Sequence, residues 1–181
     1  MFKESKLEFF RDKIIDTTTK IEVMMDWEKE IMFEHAKAIC KNGGDILEIG
    51  FGMGIAANYI HSFNISSYTI MEIHPQILTK LYKWSEDKKN VTIIEGDWYQ
   101  NLDKLKKYDG IFFDTFLDEN ARNIKILINY LKENGIFSWY NPMINKNTLK
   151  LKCDYKNIAI TPPPNQYNNT NLYSVPIFLN K

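Results

Sequence analysis

DILEIGFGMGIAANYIHSF, residues 45–63, decides the fold: an apolar run, DILEIG, breaks at closely spaced glycines and resumes as a helical repeat in GIAANYIHSF. A strand that turns through glycines into a helix is the first half of a βαβ unit. At such a turn the backbone N–H groups and the helix N-terminus approach a ligand closely. Downstream the alternation continues. SYTIMEI (67–73) reads as a strand, PQILTKLYKWSED (75–87) as a helix opened by Pro75, and NVTIIEGD (90–97) as a third strand. A short helix follows Trp98, YDGIFFD (108–114) is a fourth strand, ENARNIKILINYLKEN (119–134) a helix, and GIFSWYN (135–141) a fifth strand. Strands alternating with helices predict an α/β fold with a parallel, doubly wound sheet.

Upstream, Leu7, Phe10 and Ile14 fall at helical spacing and predict an N-terminal helix over 3–14 within a helical arm of residues 1–22. After a loop at Asp16 to Lys20 a longer helix is expected from about Met24 to Lys41, ended by Gly43 and Gly44. The tail at 142–181 differs. NIAITPPP (157–164) and LYSVPIFLN (172–180) are β-rich, separated by the polar NQYNNTN (165–171), and predict an antiparallel pair at one sheet edge. No repeat or linker divides the chain, so residues 1–181 are expected to form one domain.

Hydrophobic residues make up 44% of the 181 and charged residues 25%, which is globular composition and excludes a disordered chain. Lys+Arg and Asp+Glu are 23 each, so no long-range field recruits nucleic acid or an anionic membrane. With Arg11 and Arg122 the only arginines, bidentate contacts to phosphates or base edges are not the main business either. Cys40 and Cys153 have no metal-ligand or disulfide spacing, which fits a reducing cytosol with no metal site. No apolar run is long enough to cross a bilayer, and a cytoplasmic protein, monomer or homodimer, is expected.

The turn Gly50-Phe51-Gly52-Met53-Gly54-Ile55 places its glycines in GxGxG order. A dinucleotide fingerprint would need a third glycine where Ile55 stands, which disfavours NAD. Glu72 ends the second strand roughly 20 residues on, where an acid accepts the ribose hydroxyls of an adenosine. Glu48 lies in an otherwise apolar strand, at a cost unless a cation such as a methionine amino group meets it. Asp97 and Trp98 offer a polar contact and a flat wall to an adenine. Together these read as S-adenosylmethionine, although Glu72 as a solvated strand end and Trp98 as plain core are the bland alternatives.

Glu28 shares a helical face with Met24, Trp27, Ile31, Met32 and His35, and Asp114 ends the fourth strand; a lysine-paired helix charge is the ordinary reading of Glu28 alone. As a pair facing a methyl donor they have a specific use. A sulfonium and a guanidinium about 4 Å apart repel by on the order of 4 kcal/mol at an effective dielectric near 20, and two carboxylates offset that. They also match the planar donor fork of a guanidinium. Its proton must leave as the new bond forms, and Asp114 or Glu28 accepts it, Asp114 being favoured. His35 and His74 read as packed or capping residues rather than bases.

VMMDWE (23–28), EHAKAIC (34–40), GGDILEIGFGMGIA (43–56), YTIMEIHP (68–75) and YDGIFFDT (108–115) resemble guanidinoacetate methyltransferase and the fungal and plant δ-nitrogen (type IV) protein arginine methyltransferases. The resemblance covers approximately Val23 to Asn141, and LYSVPIF looks like the family's last strand. It implies a Rossmann-like class I S-adenosylmethionine-dependent methyltransferase: five parallel strands plus a C-terminal antiparallel pair. By resemblance, Met24, Met32, the Gly50 to Ile55 turn, Glu72, Ile73, His74, Asp97 and Trp98 contact the donor. Glu28 and Asp114 hold the guanidino group, with Asn141, Pro142 and Met143 beside it. Pro142 and Met143 replace the Leu-Thr pair that holds the substrate carboxylate in guanidinoacetate methyltransferase, and the segment after Asn141 is short for the family, implying a reduced lid. Before Val23 nothing matches, although an aromatic such as Phe9 or Phe10 is placed to close over the donor. The expected activity is N-methylation of the guanidino group of a small molecule such as arginine. The alternatives are an arginine side chain in a protein or peptide and, more remotely, an inactive methyltransferase-like binding subunit.

Overall fold

Five parallel strands carry the centre of the molecule, as a computed structural model describing residues 2–141, 149–164 and 170–181 has it. In chain order the strands are β1 (Leu7–Phe9), β2 (Lys13–Asp16), β3 (Glu22–Met25), β4 (Asp45–Ile49), β5 (Ser67–Glu72), β6 (Val91–Glu95), β7 (Tyr108–Phe113), β8 (Leu131–Trp139), β9 (Asp154–Ala159) and β10 (Leu172–Leu179). The α-helices are α1 (Lys29–Ile39), α2 (Ile55–Ser62) and α3 (Pro75–Ser85). The large sheet runs β6-β5-β4-β7-β8-β10-β9, with β4 to β8 parallel and β10 antiparallel to both β8 and β9. The chain winds outward from β4 to β6 and then returns to β7. The strand order therefore reverses between β4 and β7, where open α/β sheets bind ligands.

Burial follows from this layering. Ile46, Ile70 and Phe112 face one apolar layer with Ile31, Ile39 and Ile60 of the helices, whereas Leu47, Ile49, Ile111 and Phe137 face the other with Leu127 and Trp98. Strands covered on both faces read as continuous apolar runs, which is why they were legible. The C-terminal pair forms in the expected place. Pro176 has no N–H to give to a ladder, and β10 pairs with β8 only at Phe178↔Phe137 and Leu179↔Ile136; the Ser138 hydroxyl donates to the Pro176 carbonyl instead, at 2.5 Å.

Two N-terminal expectations are corrected. Residues 3–14 are not a helix, nor 1–22 a helical arm: after a 3-10 turn at Phe2–Glu4, β1, β2 and β3 form a three-stranded antiparallel sheet. Leu7 and Ile14 are buried, but Phe10, third of the supposed helical face, is exposed at a hairpin tip where its N–H donates to the Lys13 carbonyl. The buried Asp16 then turns the chain by accepting the Thr18 and Thr19 N–H groups, ending β2 at the expected loop from Asp16 to Lys20.

The helix expected from Met24 starts at Lys29. Met24 pairs with Ile14 in the sheet, Asp26–Glu28 is a 3-10 turn, and Glu28 accepts the Met25 N–H at 2.9 Å, capping the turn it belongs to. The segment expected as helix over 119–134 is a 3-10 helix at Ala121–Tyr130, and β8 already begins at Leu131. Asn134 has φ +60° and its N–H is taken by the Asn180 carbonyl, which draws the last residues of that segment into the sheet.

Candidate functional site

A cavity of about 350 Å³ opens at the strand-order reversal, between the carboxyl ends of β4, β5, β7 and β8, and is roofed by residues of the N-terminal sheet. Glu48, Gly50, Phe51 and Gly52 reach it from β4, Glu72 and Ile73 from β5, Asp97 and Trp98 from the end of β6, Asp114 from β7 and Tyr140 from β8. Phe2, Met24 and Glu28 close the remaining side.

Glycine is required at the turn for two reasons. Gly50 has φ +91°, and a Cβ there would stand 1.8 Å from the Asp114 carbonyl oxygen, so the β4 and β7 ends meet only because position 50 has no side chain. At Gly52, with φ +55°, a Cβ would come within 2.6 Å of the Met24 sulfur, which also accepts the Met53 N–H at 3.1 Å. The turn is thus gripped from above by β3.

The carboxylates around this turn divide by partner, Glu48 and Glu72 being buried and Asp97 and Asp118 half-buried. Glu72 accepts three backbone N–H groups, from Phe51 at 2.9 Å and from Ile73 and His74 at 2.8 Å each; burial raises its pKa and these bonds oppose the rise. Glu48 accepts the Tyr68 hydroxyl. Burial pushes its carboxyl well above the ordinary range, against the Tyr68 bond, and Asp114 and Glu72 nearby push in the same direction. Asp97 accepts the Tyr99 N–H at 2.8 Å and the Asn120 amide at 3.0 Å, while the Trp98 indole donates to Asp118 at 2.7 Å. Asp118 in turn accepts the Asn120 N–H.

Glu28 and Asp114 line the same cavity, and Tyr140 ties them together. Its hydroxyl donates to Glu28 at 2.8 Å, and its N–H donates to the carbonyl of Phe113, the residue before Asp114. Glu28 is almost fully buried, accepting Met25 N–H with its other oxygen. Desolvation, together with the neighbouring Glu28, pushes the Asp114 carboxyl up to about 8. Two acids that raise each other's cost of ionisation on one cavity lining are stabilised by a cation that enters.

Of the other residues singled out in the sequence, Met32 lies in the core under the sheet rather than on the cavity, and Met53, Gly54 and Ile55, the second half of the turn, do not line it. His74 caps α3: its Nδ1 accepts the Gln76 N–H and its Nε2–H reaches the Ser5 carbonyl at 3.0 Å. His35 is wholly buried, and desolvation lowers its pKa to about 3. Asn141 is buried beside the site, whereas Pro142, Met143 and the rest of 142–148 lie outside the described residues. The aromatic that the segment before Val23 brings to the cavity is neither Phe9, which packs under Lys80, nor the exposed Phe10; it is Phe2, edge-on to Phe116 at 5.1 Å. Sequence reasoning also missed Tyr140 and Asp118. Tyr140 sits at the carboxyl end of the fifth strand, the same signal that found Asp114, but Asp118 lies in a loop with no period to mark it.

The guanidinoacetate N-methyltransferase family model matches residues 6–161. Protein arginine N-methyltransferase 2 of Kluyveromyces lactis is 34% identical over 154 residues, which cover 77% of this chain and 38% of that protein, so the chain spans well under half of this relative's length. Among solved structures, spermidine synthase from Thermotoga maritima superposes with a TM-score of 0.69 at 14% identity, covering 97% of this chain and 72% of its own. N-methyltransferase NodS from Bradyrhizobium japonicum superposes with a TM-score of 0.67 at 12% identity, covering 85% and 87%. These likenesses give the same Rossmann-like sheet. With the family match extending over most of its length, the chain belongs to the guanidinoacetate N-methyltransferase family of S-adenosylmethionine-dependent methyltransferases.

Proposed function

We propose that the chain methylates a nitrogen of a guanidino group, its substrate being arginine or a related small molecule. The observation that carries this is the Glu28–Tyr140–Asp114 arrangement: two carboxylates lining one cavity, with Tyr140 bonding Glu28 by its hydroxyl and the residue before Asp114 by its backbone N–H.

The cavity fits the cofactor on its own chemistry. Gly50 and Gly52 present bare backbone to the cavity, and Glu48 is a buried acid held against ionisation with more acids beside it, a local excess that an ammonium relieves. We assign Glu48 to the amino group, Glu72 to the ribose hydroxyls, Asp97 and Trp98 to the adenine, and Met24 and Phe51 to the walls. Bound there, S-adenosylmethionine supplies an electrophilic methyl group on a sulfonium.

The protein's part is to bind, orient and take a proton. Glu28, fixed by Tyr140 and the Met25 N–H, orients the planar donor fork. Asp114 faces the same fork and receives the proton that must leave the guanidinium as the nitrogen is alkylated; a carboxyl near 8 in the empty site loses its own proton when cations arrive and is then poised to accept one. A second reading, methylation of an arginine side chain in a protein or peptide, is favoured by the 34% identity to a protein named as a protein arginine N-methyltransferase.

Two variants test the division of labour. Glu28→Gln is expected to raise KM for the guanidino substrate, and Asp114→Asn to cut kcat by about 100-fold or more with donor affinity largely kept. Activity at the parent level in both contradicts the carboxylate clamp.

A further inference from the structure

Behind the site runs a buried chain of hydrogen bonds that the proposed chemistry does not use. The Asn141 N–H donates to the Tyr173 hydroxyl at 2.7 Å, the Tyr173 hydroxyl lies 3.0 Å from His35 Nε2, His35 Nδ1 lies 2.7 Å from the Ser138 hydroxyl, and that hydroxyl donates to the Pro176 carbonyl. The direction of every proton follows. Ser138 spends its hydrogen on a carbonyl, which only accepts, so Ser138 accepts from His35 Nδ1–H. Nε2 then carries no proton and accepts from Tyr173, whose oxygen is left to take the Asn141 N–H. One neutral tautomer satisfies four groups on α1, β8, β10 and the segment leaving β8. His35, Ser138, Tyr173 and Asn141 are all almost fully buried, where an unmet donor or acceptor is costly.

His35 also lies on or against the elements that carry the carboxylate pair. It sits on α1, the helix that Glu28 opens, and its ring lies against Phe112 with centroids 4.7 Å apart, on the strand that Asp114 follows. Through Tyr173 it holds the N–H that directly follows Tyr140, and the Tyr173 and Tyr140 rings pack with centroids 5.7 Å apart.

We propose that His35 is a positioning residue for the guanidino clamp: through Tyr173 it fixes the peptide after Tyr140, and so the tyrosine hydroxyl on Glu28. This rests on the function proposed above. His35 reaches neither substrate nor donor, so its loss should loosen the aim of Glu28 and leave the donor pocket as it was.

The test uses His35→Phe and Tyr173→Phe, separately and together, with three readouts: amide hydrogen exchange at Asn141, affinity for S-adenosylhomocysteine, and KM and kcat for arginine or an arginine peptide. Losing one buried hydrogen bond should speed exchange at Asn141 and raise KM by about tenfold each, with S-adenosylhomocysteine affinity within about twofold of the parent and the double variant no worse than the poorer single one. Unchanged Asn141 exchange, an unchanged KM despite faster exchange, or a parallel fall in S-adenosylhomocysteine affinity would each overturn the proposal. Tyr173→Phe removes a single oxygen and carries the test should His35→Phe not fold. If the parent methylates no guanidino compound, the function reading has failed instead, and Asn141 exchange alone then decides whether His35 holds that peptide.

Discussion

Asp114 holds its proton far above the ordinary carboxylate range because the cavity wall desolvates it and Glu28 stands near. In the unfolded chain the same group loses its proton near its ordinary 3.8. Between about pH 4 and pH 8 the native state therefore binds more protons than the unfolded state, and this residue's contribution to stability falls as pH rises. Two outcomes are expected. Asp114→Asn should make the ligand-free protein more stable at pH 8, by about 1 kcal/mol or more in denaturant titrations, while abolishing turnover; a less stable Asn variant contradicts the assigned cost. Binding of S-adenosylmethionine at pH 7 should release protons from this acid cluster, read as a calorimetric enthalpy that varies with the ionisation heat of the buffer. An enthalpy independent of buffer contradicts it. Tyr140→Phe, which removes one bond from Glu28 and leaves the backbone tie to Phe113, should raise the guanidino KM by about tenfold.

At the scale of elements, the site depends on strands β4, β7 and β8 ending side by side. The Asp114 N–H bonds the Ile49 carbonyl, and the Tyr140 N–H bonds that of Phe113. Gly50→Ala puts a methyl group on the Asp114 carbonyl at a backbone angle alanine rarely adopts, and should cost about 3 kcal/mol or more with loss of donor binding, measured by unfolding and calorimetry. An alanine variant that binds the donor normally would mean that the strand ends need not meet. The same elements were legible in the sequence because a parallel strand covered on both faces must be continuously apolar and the glycine turn interrupts that run sharply. The N-terminal strands are three or four residues long, too short for a period of two to declare itself, while Leu7, Phe10 and Ile14 fall at helical spacing by coincidence. Glu28 was found, but as a helix-face residue; that it caps a 3-10 turn depends on its own side chain reaching back to Met25.

For the molecule as a whole, the N-terminal sheet is what turns an open strand-end cleft into a cavity. Phe2 packs on Phe116 and His74, the Leu7 N–H meets the Gln76 side chain at 2.8 Å, and Met24 presses on the glycine turn. Removing residues 1–5 should leave the central sheet folded and weaken S-adenosylhomocysteine binding by about tenfold, since Phe2 leaves the wall; unchanged affinity contradicts a role for this strap. At the far, amino-terminal end of the sheet, Lys132 bridges Asp45 and Asp109 at 2.7 Å each, so the charged groups there are spent on one another while the acids of the cavity are left for a cation.

The most direct measurement is S-adenosylhomocysteine release with arginine, guanidinoacetate, agmatine and arginine peptides in turn, the products identified by mass spectrometry. A methyl group on a guanidino nitrogen of one of them, lost in Asp114→Asn, is the predicted result. S-adenosylmethionine binding with no methylated guanidino product from any of them would contradict the account.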